Sequence, residues 1–293
     1  DTGPRASFGY ELRRASSSGN YFQAVAQGSR IQQTFQARYV IPGKNPTSSR
    51  YSILAGITAN VPGDGRYTNF KTGADYVTQW LGFEQTISLT YQREQFRVHP
   101  DFPDENTQYL VPEISWLKIK SNDRVNSNKG YRVYLNLKGG PSLNDSNFFG
   151  QAELQLKWIY SFHRNQRIIL RSDLGATGVR NLTTLPLSVR FYAGGASSVR
   201  GYSFQSLGPG RYLITASAEY QHRLYKKWYW AAFYDAGNAF DNPPIKLERS
   251  AGLGIVYRSP LGPIELTVAH PFNQQETRFL KGLRIQFVLG PDL

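Results

Sequence analysis

The sequence predicts an all-β fold, a transmembrane antiparallel β-barrel of about 16 strands that spans residues 1–293 as a single domain. Three observations predict it. The first is alternation: Ala6, Phe8, Tyr10 and Leu12 oppose Ser7, Gly9 and Glu11, and Leu154, Leu156, Trp158 and Tyr160 oppose Glu153, Gln155 and Lys157. A helix would mix these two sets, whereas a strand places them on opposite faces. The second is composition. Aromatic residues reach 14% while hydrophobic residues reach only 40%, and glycine is frequent at 27. Only every second residue of a barrel strand meets lipid, which dilutes the apolar signal, and aromatic rings collect at the two membrane interfaces. The third is length. The alternating stretches approach the ~9–11 residues of a tilted membrane strand, beyond the ~5–6 of an ordinary soluble sheet, and their polar faces carry charges repeatedly. A soluble sandwich would also alternate, but a closed barrel with lipid outside and water inside explains both the length and the charges.

In chain order the strands are expected at 5–14, 20–30, 32–41, 50–60, 66–80, 84–97, 108–120, 130–139, 148–162, 166–178, 186–194, 211–222, 227–236, 248–259, 262–270 and 280–290. The segments 5–14, 130–139, 148–162 and 280–290 rest on clean alternation. The others are bounded by Gly, Pro, Asn and Ser clusters. Pro112 interrupts 108–120, because proline cannot donate to a ladder. The polar stretches 42–49 and 121–129 read as outward loops, and the tight link at 259–262 as a periplasmic turn. The connections at 97–107 and 140–147 are longer than that rule predicts. The chain contains no methionine, so it reads as processed or excised.

Several chemistries are excluded. With no cysteine there are no disulfides, thiolate metal sites or cysteine nucleophiles. His99, His163, His222 and His270 lack metal-ligand spacing, and neither a nucleophile elbow, a phosphate loop nor a zinc-protease motif occurs. No catalytic residue, metal or cofactor is expected, and the chain does not read as an enzyme. Mean hydropathy is −0.46, and no apolar run approaches the ~18 residues of a membrane helix. The net charge is +13. The basic residues form no local patch of the kind nucleic acid requires, and a basic lumen or a surface facing anionic lipopolysaccharide accounts for them.

One segment carries more. Residues 191–202 read FYAGGASSVRGY. Gly194 and Gly195 free the backbone for a hinge where a strand leaves the membrane. Arg200 could fold into the lumen, where carboxylates would compensate its charge, or it could be an ordinary exposed loop residue. Glu219 and Asp235 lie on lumen-facing positions, between or beside outward Ala218, Tyr220 and Tyr234.

Here the sequence resembles a known family. Val199, Arg200, Gly201 and Tyr202 look like the loop-six motif of the barrel insertase superfamily that includes BamA, TamA, the two-partner secretion pores and their organelle relatives. The strands at 216–220 and 233–240 and the segment RSPLGPIEL (258–266) fall where that family has them. The opening DTGPR (1–5), the spacing from FYAGG to VRGY and the closing LGPDL (289–293) resemble the TamA branch, and the final residue departs from the aromatic ending of BamA-type chains. The resemblance implies an inward-folded loop six. Arg200 would pair with Glu219 and Asp235, Gly201 would allow close backbone approach, and Tyr202 would pack on the inner wall. It also implies a weakly paired lateral gate between first and last strands, around Phe8, Gly9, Tyr10, Gly282, Phe287 and Gly290. Gly282 and Gly290 would let the last strand bend inward, or are plain turn residues.

The implied function is insertion of autotransporter-like β-barrel clients into the outer membrane of a Gram-negative bacterium, with lipid transport as a further role. The implied partners are unfolded outer-membrane clients, outer-membrane lipids and lipopolysaccharide, and a TamB-like inner-membrane protein reached through periplasmic POTRA domains absent from these residues. A BamA-type assembly barrel, a two-partner secretion pore and a patatin-fused barrel are the alternatives.

Overall fold

Alternation becomes strand almost wherever it occurs. The computed structural model describes residues 6–13, 15–16, 19–63, 65–163, 165–272 and 282–293. The first ten strands are β1 (Ala6–Leu12), β2 (Tyr21–Gly28), β3 (Gln32–Pro42), β4 (Arg50–Asn60), β5 (Arg66–Trp80), β6 (Phe83–Arg97), β7 (Glu105–Ser121), β8 (Lys129–Pro141), β9 (Phe148–His163) and β10 (Gln166–Val179). Two short strands follow, β11 (Phe191–Ala193) and β12 (Leu207–Gly210). The last five are β13 (Tyr212–Tyr225), β14 (Trp228–Phe240), β15 (Glu248–Ser259), β16 (Gly262–Pro271) and β17 (Arg284–Leu289). Residues 1–5, with the opening DTGPR, residue 14, and residues 280–281 of the expected last strand lie outside the described residues.

Among the described residues the wall is a 15-stranded meander in the order β1 to β10, then β13 to β17, every neighbouring pair antiparallel. The count differs from the expected 16 because 186–194 does not join the wall. Only Phe191–Ala193 is extended there, and it pairs with β12 in a separate two-stranded sheet. Gly194 and Gly195 therefore do not mark a strand leaving the membrane; they turn the chain just after β11, both with positive φ. Pro112 is accommodated inside β7. The register to β6 runs through Leu89↔Pro112, while the ladder to β8 starts only at Glu113↔Lys138, as a residue without an N–H requires.

The distribution of residues is inside out. On one face Ile53, Ile57, Leu89, Leu156, Leu253 and Phe287 are exposed; on the other Ser52, Asn69, Glu94, Ser217, Glu219 and Asp235 are buried. A water-soluble sheet would bury the first set, whereas a wall between lipid and a polar lumen requires this arrangement. All the tryptophans (Trp80, Trp116, Trp158, Trp228, Trp230) lie toward the end of the wall that carries the two-residue links 81–82, 164–165, 226–227 and 260–261. Stacked and tilted ring pairs join several of them, such as Trp158 with Tyr160 and Trp80 with Trp116. That band marks one membrane interface.

Strand direction corrects the assignment of loops to sides. The 42–49 and 121–129 stretches emerge at the same end as 259–262, and Asn126 donates to the Ser259 carbonyl at 2.7 Å. The connections at 97–107 and 140–147 share the other end with the long segment 180–211. Loop composition is the same at both ends, so only the strand count assigns the sides.

Among the described residues the first and last strands are the two edges of the sheet and do not pair with each other. Every residue of β1 is exposed. The last strand is shorter than expected, so Gly282 and Gly290 flank it rather than interrupt it. Among the described residues the first and last strands of the sheet run the same way, as in any antiparallel meander with an odd number of strands.

Candidate functional site

The 32 residues between β10 and β13 fold back into the lumen and bond to wall strands from β4 to β15. Gln205 accepts from Asn60 of β4 at 2.9 Å. Ser188 receives a hydrogen bond from Asn69 of β5 at 2.9 Å, and its amide donates to Glu94 of β6 at 3.2 Å. Gln151 of β9 donates to the Val189 carbonyl at 2.7 Å, and Tyr202 donates to Glu248 of β15 at 2.8 Å. One loop can reach β4 and β15 at once only if the sheet curls around it.

The tip is built on a square of four lumen-facing residues. The register of β13 on β14 sets Ser217 opposite Asp235 and Glu219 opposite Phe233. Arg200 sits on that square. Its Nε and Nη2 donate to the two Asp235 oxygens at 2.8 and 2.9 Å, its Nη1 donates to Glu219, and Nη2 also reaches Ser217 Oγ at 3.1 Å. The backbone N–H of Arg200 adds a third bond to Asp235 at 3.0 Å. The guanidinium lies 3.4 Å from the centre of the Phe233 ring, a cation–π contact strengthened by exclusion of water. Arg200, Glu219 and Asp235 are all buried, at 2%, 5% and 0% exposure. Burial alone would push the guanidinium down, but the bonds from Asp235 and the charge of Glu219 hold it above its ordinary value. Arg200 is therefore a permanent cation.

Neighbouring residues make that placement possible. Gly201 adopts φ +91, and a Cβ there would press on Pro271 and Ser250, so only glycine follows the arginine without strain. Val199 and Tyr202 are buried with Phe191, Ala193, Leu213 and Ala239 in one apolar cluster.

Sequence reasoning missed Ser217, Phe233 and Gly252. Gly252 faces Phe233 across β14–β15, and a Cβ there would lie 2.3 Å from the ring. The ring occupies the space a side chain at Gly252 would take, and it lies under Arg200. The available signal was the lumen-side period shared by Ser217 and Glu219, and by Phe233 and Asp235. Gly252→Val is expected to tilt Phe233 away and to destabilise the folded barrel by ~1–3 kcal/mol, the usual cost of overpacking. Faster protease cleavage within 196–206 of the folded protein is the check; unchanged cleavage contradicts this role.

A curled wall with an apolar outer face, and a long loop clamped in its polar lumen by a buried arginine, defines a plugged membrane barrel. The chain belongs to the Omp85 superfamily: the Omp85 superfamily domain matches residues 17–292. Outer membrane protein assembly factor BamA of Nitratidesulfovibrio vulgaris is 21% identical over 240 residues, covering 72% of this chain and 30% of that protein. The chain thus spans about a third of the length of the curated relatives it matches. The crystal structure of BamA from Haemophilus ducreyi lacking POTRA domains 1–3 is similar with a TM-score of 0.78 at 16% identity, over 98% of this chain and 66% of that one. CdiB from Acinetobacter baumannii is similar with a TM-score of 0.61 at 11% identity, over 98% and 55%. The chain is an outer-membrane barrel.

Proposed function

We propose that this chain is the membrane domain of a TamA-like outer-membrane insertase, which assembles β-barrel clients through a lateral gate between β1 and β17. One observation carries the reading: among the described residues β1 and β17 are the two edges of the wall and do not pair with each other, and every residue of β1 is exposed. An unpaired edge in a bilayer leaves backbone groups unsatisfied, so a client strand has a strong reason to pair with it. Because β1 and β17 run in the same direction, one strand inserted between them lies antiparallel to both. Phe8, Gly9 and Tyr10 would form the receiving edge, with Ile285 and Phe287 facing lipid across it.

Loop six would keep the lumen filled while the wall opens. Arg200 on Glu219 and Asp235 anchors it to β13 and β14, away from the seam, so edge exchange need not disturb the clamp. No side chain reacts; client folding supplies the free energy.

Three sequence features support the TamA branch: the DTGPR opening, the FYAGG to VRGY spacing, and the LGPDL ending. In that branch, upstream POTRA domains would bring a TamB-like inner-membrane partner, the clients would be autotransporter-like, and phospholipid passage would be a second task at the same seam. A two-partner secretion pore, which shares a motif like Val199–Tyr202, is the alternative.

The test is reconstitution of the full-length protein in proteoliposomes, with addition of a urea-unfolded autotransporter barrel. Faster appearance of the heat-modifiable folded client than with empty liposomes is expected. Equal rates, with passage of a soluble exported protein instead, would replace the insertase reading by the pore.

A further inference from the structure

The insertase reading leaves the closing LGPDL segment without a task, yet its Asp292 is held by several charged and backbone hydrogen bonds. After Leu289 the chain leaves the wall and crosses the tight-turn mouth. Asp292 is buried at 4% exposure and meets Arg167, buried at 1%. The pair is bidentate, with Nη2 to Oδ1 at 2.7 Å and Nη1 to Oδ2 at 2.8 Å. The amide of Ser127 donates to Oδ2 at 2.7 Å, and Arg167 Nη1 also donates to the Ser127 carbonyl at 2.9 Å. The backbone joins as well: the Asp292 amide donates to the Val125 carbonyl at 3.1 Å and the Leu293 amide to the Arg124 carbonyl at 3.2 Å.

This receptor comes from the far side of the barrel. In sheet order β7 and β8, whose connection carries Ser127, stand opposite β17. That connection is itself pinned across the mouth, Asn126 to the Ser259 carbonyl at 2.7 Å and Arg258 to Asn128 at 2.9 Å. The tail borders a cavity of about 760 Å³ that reaches loop six at Ala196 and Phe204 and contains Lys157 and Glu265. Gly290, Pro291 and Asp292 line it directly. A buried ion pair of this kind contributes little net stability compared with apolar packing, but fixes position closely. It also sits outside the ladder, since β17 pairs with β16 only over Arg284–Leu289.

We propose that residues 290–293 are a latch. Asp292, seated on Arg167 and the Ser127 amide, closes the tight-turn mouth and draws the end of β17 toward the lumen, and it must release before β17 can extend along the seam. Mouth closure stands on the geometry alone; release during gating rests on the insertase reading above.

The test uses the full-length protein in planar bilayers, after its heat-modifiable migration shows a folded barrel. Asp292→Asn and Arg167→Gln are each expected to raise time-averaged conductance several-fold, and the exchanged pair Arg167→Asp with Asp292→Arg to return it toward the parent value. Folded single variants with parental conductance overturn the latch, as does an exchanged pair no better than the singles. Should those variants fail to fold, Arg124→Cys with Leu293→Cys joins the same two backbones covalently. Lower conductance when oxidised than when reduced supports the latch, and no difference overturns it. Oxidation should also slow client assembly in the liposome assay. If it does not, while conductance responds, mouth closure stands and the gating role falls. A parent protein that neither inserts nor shifts on heating overturns the barrel reading itself, a different result from loss of the latch.

Discussion

Arg200→Ala is expected to free loop six from the lumen while the wall still forms. Truncation leaves Glu219 and Asp235 buried without their cation, and breaking a buried pair by removing one partner costs ~3–5 kcal/mol. The wall itself keeps its ladders, so the heat-modifiable species persists with a lower denaturation midpoint. Protease cleavage within 196–206 rises, and client assembly falls with it. Arg200→Lys separates charge from shape. It keeps a cation near both carboxylates but loses the planar fork that reaches Asp235, Glu219 and Ser217 together. An intermediate loss is expected. A loop as protected in Arg200→Ala as in the parent would contradict the clamp.

Leu253→Arg is expected to destabilise the barrel in lipid by ~2–4 kcal/mol, the cost of a basic residue on the lipid face near the bilayer midplane. Leu253 lies in the middle of β15 with 64% exposure. Leu261 is as exposed, at 76%, but lies in the turn after β15, where Leu261→Arg should cost only ~0–1 kcal/mol because the side chain reaches the interface. Denaturant titrations of refolded protein in vesicles measure both. Equal and negligible effects would mean that the outer wall meets water.

The sequence was most legible where a local rule governs the outcome. Leu154 to Lys157 alternate because a strand has two faces, and the structure places those residues in β9 with no reference to anything distant. The same period assigned Glu219 and Asp235 to the lumen side. The motif at 199–202 drew attention to Arg200, and the structure brings all three together. Ser217, Phe233 and Gly252 were not legible, because period two names a face without naming what rests against it. Phe233 is an ordinary inward aromatic until Arg200 lands on it.

Strand parity illustrates the same limit at larger scale. Residues 186–194 carry enough alternation to resemble a wall strand, yet Ser188 and Val189 are hydrogen-bonded to Asn69, Glu94 and Gln151 from inside. Removing that one strand from the count reversed the sides of every earlier loop and made the first and last strands run the same way. The sequence by itself determined nearly all the wall strands and their two faces, including the lumen side of Glu219 and Asp235, since each follows from chemistry within a few positions along the chain. Only the tertiary structure decided the departure of 186–194 from the wall, the inward fold of the segment before β13 and the seating of Asp292 on Arg167. Each of these depends on which distant segments share the lumen, and no local period records that.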